Sequence, residues 1–309
     1  MIVHTGEALI DFIPHPQTQG EPWYQPSPGG SPYNTAIAAA RLEVPNAFLG
    51  KVSRDFFGDQ LVSNLDANGV GTQLIVPSDK PSTLAFVKKM PDGQPRYAFF
   101  SNGAAHVDLR PEDLPEIPQE ARAIQFGSIS IIPNPVSDTI LGIVEGERDR
   151  VVSFDPNVRT GLITDESDYR DRLRRAVVAS TIVKVSDEDM EWYGGSSDLA
   201  AGARGMIAAG ASLVVLTEGD KGAHAFCGGR TVSVPAVPTT VSDTVGAGDS
   251  FHAALLAWLY HKGLLSREAI TELREDQLRG LLGFAVRVAA KTCSRAGADP
   301  PRLSEVPLE

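Results

Sequence analysis

Seven residues, Asp243-Thr244-Val245-Gly246-Ala247-Gly248-Asp249, carry the clearest chemical signal in this chain. They run directly into Ser250–Leu259, where Phe251, Ala254, Leu255, Trp258 and Leu259 recur at the spacing of a buried helical stripe. A turn with almost no side chains therefore opens a core helix. The first N–H groups of a helix lack internal partners and carry partial positive charge. Gly246, Ala247 and Gly248 leave room for an anion to reach those groups. Asp249 places a carboxylate beside the anion, suited to act as base toward a hydroxyl attacking a phosphate. The segment reads as a phosphoryl-transfer site. A glycine-rich turn before a capped helix is the alternative that the segment alone leaves open.

Those residues need a scaffold, and the pattern around them supplies one. Short apolar runs at Ala123–Gly127, Val151–Phe154, Ile182–Val185 and Leu213–Leu216 predict strands. Amphipathic stretches at 169–179 and 198–209 lie between them, and a core helix is predicted near 277–293. Strand–helix–strand at this spacing predicts a parallel sheet covered by helices on both faces. Ligands of such sheets sit outside the carboxyl ends of the strands. Asp155, Asn157 and Arg159 follow one strand, Ser186 and Asp189 the next, and Thr217 and Gly219 another, so all are expected along one rim. The first third differs. Leu84–Lys89 and Arg96–Phe100 flank the turn signal Pro91-Asp92-Gly93 and predict a hairpin. Ile2–Phe12 reads as a further strand broken by Gly6, and Pro14–Pro32 as a loop or an excursion. These pieces are expected to form a small β lid, at about 12–28 and 82–104, within one domain spanning 1–309.

Bulk properties exclude several classes. The chain has 309 residues and a formal net charge of −11, which argues against nucleic-acid and anionic-membrane partners. Two cysteines, Cys227 and Cys293, form no disulfide framework or CxxC site and suit a cytoplasmic location. No signal peptide or membrane-length apolar run is read. The G-x-x-x-x-G-K-[ST] loop is absent, and Gly246–Phe251 lacks the third glycine of a dinucleotide fingerprint. Ser250 has no G-x-S-x-G context. His252, one turn after Asp249, reads as structural.

Two signatures together resemble the ribokinase-like (PfkB) carbohydrate kinase family, and within it fructokinases. One is Gly29-Gly30-Ser31-Pro32-Tyr33-Asn34-Thr35-Ala36 with Gly50–Ser53 and Asp55–Gly58; the other is Asp243–Asp249. Asp155-Pro156-Asn157-Val158-Arg159 also fits, and the likeness runs from about residue 2 to about residue 300. The resemblance implies a three-layer α/β core with a β lid, and transfer of the ATP γ-phosphate to a sugar hydroxyl. Asp249 would be the base, and the backbone of Gly246, Ala247, Gly248 and Asp249 the anion hole. At a helix N-terminus Asp249 is expected to stay ionised, a weak base toward a free alcohol. Asp11, Gly30 and Asn34 match sugar-contacting positions; Phe100 and Arg159 join them on the substrate side. For ATP, Thr217, Gly219 and Gly222 match the nucleotide loop, with adenine between it and Ala285 and Ala289, and Gly248 at the phosphates. An Asn-x-x-Glu element that supports phosphate and hydrated Mg²⁺ appears here as Ser186–Asp189, with serine and aspartate substituted. Asp243 and the Val245 carbonyl match a monovalent-cation position, such as K⁺, near Arg295–Gly297.

Relatives acting on 2-keto-3-deoxygluconate carry a lid tyrosine and arginine for its carboxylate, and many fructokinases carry the arginine. The corresponding place here, Phe99-Phe100-Ser101-Asn102, has no cation. A neutral sugar, fructose first, is the expected acceptor. A sugar acid, ribose or a nucleoside within the same family are the alternatives, with a non-catalytic sugar or nucleotide sensor behind them. A homodimer through the lid strands is expected, because their edges otherwise stay unpaired.

Overall fold

Alternation of side chains along each strand decides this architecture. In the computed structural model, residues 1–15, 23–89, 95–194 and 197–308 are described. The strands are β1 (Ile2–Thr5), β2 (Leu9–His15), β3 (Trp23–Gly29), β4 (Asn46–Ser53), β5 (Ile75–Ser78), β6 (Thr83–Lys89), β7 (Pro95–Phe100), β8 (Ala123–Gly127), β9 (Val151–Asp155), β10 (Ile182–Ser186), β11 (Leu213–Thr217), β12 (Ala223–Cys227) and β13 (Arg230–Val234). The helices are α1 (Ser31–Arg41), α2 (Phe56–Ala67), α3 (Val136–Gly146), α4 (Glu166–Ala179), α5 (Asp187–Gly194), α6 (Leu199–Ala209), α7 (Ala247–His261), α8 (Arg267–Thr271) and α9 (Glu275–Cys293).

The large sheet has the order β13-β12-β11-β10-β9-β8-β1-β4-β5. It is parallel from β11 to β5, and only β12 and β13 add antiparallel strands at one edge. Ile2, Ala123, Val151, Ile182 and Leu213 pack on one face with α1, α7 and α9. Their neighbours Val3, Ile124, Val152, Val183 and Val214 pack on the other with α3, α4 and α6. Strands buried on both faces read as continuous apolar runs, which is why they were legible. Side-chain caps on Asp55, Asp165 and Asp198 start α2, α4 and α6.

The small sheet, β3-β2-β6-β7, covers the carboxyl-end rim. It corrects two expectations. Ile2–Phe12 is not one interrupted strand: β1 pairs with β4 and β8 in the large sheet, whereas β2 pairs with β3 and β6 in the small one. Gly6, at φ +148, makes the change of direction, and a Cβ there would meet Pro32 at 2.6 Å. The described part of Pro14–Pro32 is not loop either. Trp23–Gly29 is a strand despite Pro26 and Pro28, which its edge position tolerates. The β6–β7 hairpin forms as expected, while Pro91-Asp92-Gly93 lies outside the described residues.

Candidate active site

Gly246 at φ +75 turns the chain into α7, and a Cβ there would meet Ala298 at 2.8 Å. The turn leaves Asp249 in the first turn of α7, buried, with both carboxylate oxygens held from α1. Ser31 Oγ donates to Oδ1 at 2.6 Å, and Asn34 Nδ2 donates to Oδ2 at 2.9 Å. Burial raises the proton affinity of Asp249 above the ordinary carboxylate range; the Ser31 and Asn34 bonds oppose this, Asp155 adds to it and Lys184 opposes it. This corrects the expectation of a weak base set by the helix terminus alone, because desolvation acts in the other direction.

Asp249 borders a cavity of about 520 Å³ between the rim and the small sheet. Glu7, Asp11, Gly30, Ser31 and Asn34 line one side; Asp155, Asn157, Arg159 and Lys184 line another; Val241–Gly246 and Gly248 form the floor. Leu9, Ile13, Val87, Tyr97 and Phe99 of the small sheet form the roof. Burial, then the charge of Asp249, push Asp11 up to about 7, with Arg159 pulling the other way. The Arg159 guanidinium lies 5.8 Å from the centre of the Tyr97 ring, linking the loop after β9 to the lid.

The structure thus brings Asp11, Gly30, Asn34, Arg159, Asp243, Val245, Gly246, Gly248 and Asp249 to one cavity. Asn34 spends its amide N–H on Asp249. Phe100 is a correction. Side chains alternate along β7, so Tyr97 and Phe99 face the cavity while Phe100 turns to the opposite face, 62% exposed and edge-on to Phe86.

Of the expected nucleotide residues, Gly248 lines that cavity, and Ser186, Thr217, Gly219, Gly222, Ala285 and Ala289 lie outside it. Ser186 and Thr217 are register neighbours at the ends of β10 and β11. Gly219 and Gly222 bound a short 3₁₀ turn after β11. Ala289 is partly exposed on α9. Ala285 is a second correction: it is sealed in the core shared with α7, so its methyl faces packing and not a ligand.

Asp189 is buried, accepts the Val158 N–H at 3.0 Å and receives no cluster of co-ligands. Among the described residues no three His, Cys, Asp or Glu side chains converge as a metal cage. Asp189 is the carboxylate at this rim that could hold a hydrated Mg²⁺ through water. Asp243 accepts from Val245 N at 3.1 Å and Gly297 N at 3.0 Å, tying the turn before α7 to the 295–297 loop.

Four cavity residues escaped the sequence reading. Ser31 lies inside the Gly29–Ala36 signature, which by itself assigns it no role. Tyr97 needed the strand register. Glu7, buried, accepts from Ser31 N at 3.1 Å and bonds Ser130, and burial pushes it up to about 7. Lys184 stood in plain view as a charge inside the apolar run Ile182–Val185. His252 is buried and bonds Ser153 at 2.6 Å, a structural contact.

The pattern of the pfkB family carbohydrate kinases matches residues 1–305. A fructokinase of Rhizobium leguminosarum bv. trifolii is 41% identical over 280 residues, covering 90% of this chain and 86% of that protein. A fructokinase of Xylella fastidiosa, solved with bound ATP, superposes with a TM-score of 0.91 at 27% identity, covering 99% of this chain and 96% of that one. A fructokinase of Vibrio cholerae O395, in a form with bound fructose, ADP and calcium ion, superposes with a TM-score of 0.83 at 26% identity, covering 96% of this chain and 94% of the other. The match over nearly the whole chain, together with an acid held at a helix N-terminus, settles kinship: this chain belongs to the pfkB family of carbohydrate kinases.

Proposed function

We propose that this protein is an ATP-dependent fructokinase, forming fructose 6-phosphate. The observation that carries the reading is the clamp on Asp249, which holds a buried carboxylate at the mouth of α7, in a cavity that Asp11 also lines. Asp249 takes the proton from the acceptor hydroxyl as that oxygen bonds to the γ-phosphorus and the bond to the departing ADP breaks. The N–H groups of Gly246, Gly248 and Asp249 face the charge that builds on the transferred group, while that of Ala247 is held by the Thr244 carbonyl. Mg²⁺ carried by the nucleotide neutralises the phosphates when bound, and a monovalent cation beside Asp243 and Val245 would steady the turn. Ser186, Thr217, Gly219, Gly222 and Ala289 take the nucleotide along the rim.

The cavity favours a neutral polyol. Asp11 and Asp249 are both acceptors for hydroxyl donors. An anionic substrate would meet these carboxylates with Arg159 beside Asp11 and with Lys184 already paired to Asp155, so charge supports fructose over a sugar acid. Aliphatic and aromatic roof residues suit the C–H faces of a sugar and exclude water. The relatives described above are fructokinases, which supports the same acceptor.

The reading extends to a homodimer. Phe12, Tyr24, Phe86 and Phe100 cluster on the lid face away from the cavity, an apolar patch that a second copy would cover. Among the described residues no helix is long and apolar enough to cross a membrane, and a cytoplasmic location is part of the proposal. The test is ADP release with MgATP and fructose, ribose or 2-keto-3-deoxygluconate. Fructose is expected to give the highest kcat/KM; turnover of either other sugar well above fructose would reject the assignment.

A further inference from the structure

Lys184 sits between Val183 and Val185, on the face of β10 that also sends Ile182 beneath α7. It is 5% exposed. An ammonium so placed is costly unless paired and hydrogen-bonded. Its Nζ donates to Asp155 Oδ2 at 2.9 Å, while Asp155 Oδ1 is buried without a hydrogen-bond partner among the described residues. Replacing such a pair by apolar side chains is often neutral or stabilising, so stability gives a poor account of it. Position gives a better one. Both residues line the cavity, and a Cβ built on Gly248 would lie 3.1 Å from Lys184 Nζ. The ammonium therefore stands directly behind the first turn of α7.

We propose that Lys184 is a positioning residue for phosphoryl transfer, reinforcing the positive field of the Gly246–Asp249 turn and keeping Asp249 ready to accept a proton, and that a side chain at residue 248 would crowd the ammonium. The inference rests on the kinase reading of the site. Burial pulls the Lys184 ammonium down, but Asp155, then Asp189 and Asp249, outweigh it and leave it above its ordinary range. The charged groups facing Asp249 are Asp155 from β9, Lys184 from β10 and Asp11 from β2, with Arg159 offsetting Asp11. His252, on the same helix, is pushed well down by burial and is neutral. Removing the Lys184 charge leaves Asp249 among like charges, so its proton affinity rises. Removing the Asp155 charge lowers it.

The experiment compares wild type, Lys184→Met, Lys184→Arg and Asp155→Asn in the full chain. Expected for Lys184→Met is a kcat loss of roughly 10²-fold, the size of losing one anion-hole contact, with KM for fructose and ATP within a few fold. Its acidic limb in kcat should move up by about one pH unit, the usual effect of one nearby charge. Lys184→Arg should recover part of kcat, and Asp155→Asn should move the limb the other way. An unmoved limb in Lys184→Met, or shifts of the same sign in both variants, would overturn the proposal. Should Lys184→Met not fold, Gly248→Ala provides the second probe: crowding the ammonium should lower kcat severalfold with KM held, and wild-type kinetics would count against the proposal. Wild type that releases no ADP with any sugar rejects the kinase reading itself. Titration of Asp249 by carboxylate NMR, assigned with Asp249→Asn, then decides the charge coupling independently: an identical midpoint in wild type and Lys184→Met refutes it.

Discussion

The Ser31 hydroxyl donates a 2.6 Å hydrogen bond to Asp249, joining the first residue of α1 to the first turn of α7 across 218 positions of sequence. Two helix N-termini meet there, and each supplies what the other lacks. The α7 turn offers N–H groups, apart from that of Ala247, which the Thr244 carbonyl takes at 3.2 Å, but holds its carboxylate out of water. The α1 turn contributes two neutral donors that fix that carboxylate's orientation. Removing one leaves the acid buried with less support. Ser31→Ala is expected to lower kcat by roughly 10–100-fold, the scale of a hydrogen bond to a charged group. The bond lowers the Asp249 proton affinity, so its loss should move the acidic limb of kcat upward. Fructose KM should change little. A kcat–pH profile checks both, and an unmoved limb would assign Ser31 to packing.

Asp249→Asn keeps the shape and both neighbours while abolishing the base. Turnover should fall by roughly 10²–10⁴, the usual share of general base catalysis. Calorimetric binding of fructose and of MgATP should stay within a few fold. Binding lost together with activity would mean that the carboxylate holds the cavity together.

Asp11 couples function to stability. Its carboxyl rises from an ordinary 3.8 to about 7 in the folded chain, chiefly through burial and then through Asp249. The folded state therefore binds the proton more tightly than the unfolded one. That stabilisation is fully present below about pH 4 and is lost as pH rises through about 7. Glu7 follows the same course, also moving to about 7. Asp11→Asn removes one such contribution, so Tm measured from pH 5 to pH 8 should fall less steeply than in wild type. The variant should be more stable than wild type at pH 8 and bind fructose more weakly. Equal slopes would show that Asp11 is no more acidified by unfolding than an exposed carboxyl.

Much of this was legible because apolar periodicity reports burial. The strands Ala123–Gly127 and Ile182–Ser186 and the helix Glu275–Cys293 announce themselves by what they hide. The glycine turn before Asp249 was legible because only small residues permit an approach to a helix N-terminus. What stayed hidden depended on direction and depth. The exchange of sheets at Gly6 joins two runs that look continuous, and one residue of β register separates Phe99 in the cavity from Phe100 outside it. Ala285 and Ala289 share a face by spacing, yet only one reaches the surface. Lys184 was readable in principle, since a lysine inside a strand buried on both faces demands a partner, but Asp155 becomes that partner only when β9 and β10 lie side by side.

The alternation in β7 separates two neighbouring aromatics into different jobs. Phe99 roofs the cavity, whereas Phe100 extends the outer patch with Phe86, Phe12 and Tyr24. Phe99→Ser should raise fructose KM several-fold and leave association unchanged. Phe100→Ser removes buried aromatic area only if a second copy covers it, at about 25 cal/mol per Å² of apolar surface. It should weaken the dimer by at least an order of magnitude while fructose KM stays within twofold at protein concentrations where the dimer persists. Light scattering across micromolar concentrations, read beside steady-state kinetics, tests both variants. Wild type that remains a monomer throughout would refute the dimer, and a fructose KM that responds to Phe100 rather than Phe99 would mean that the opposite face of the lid closes on the sugar.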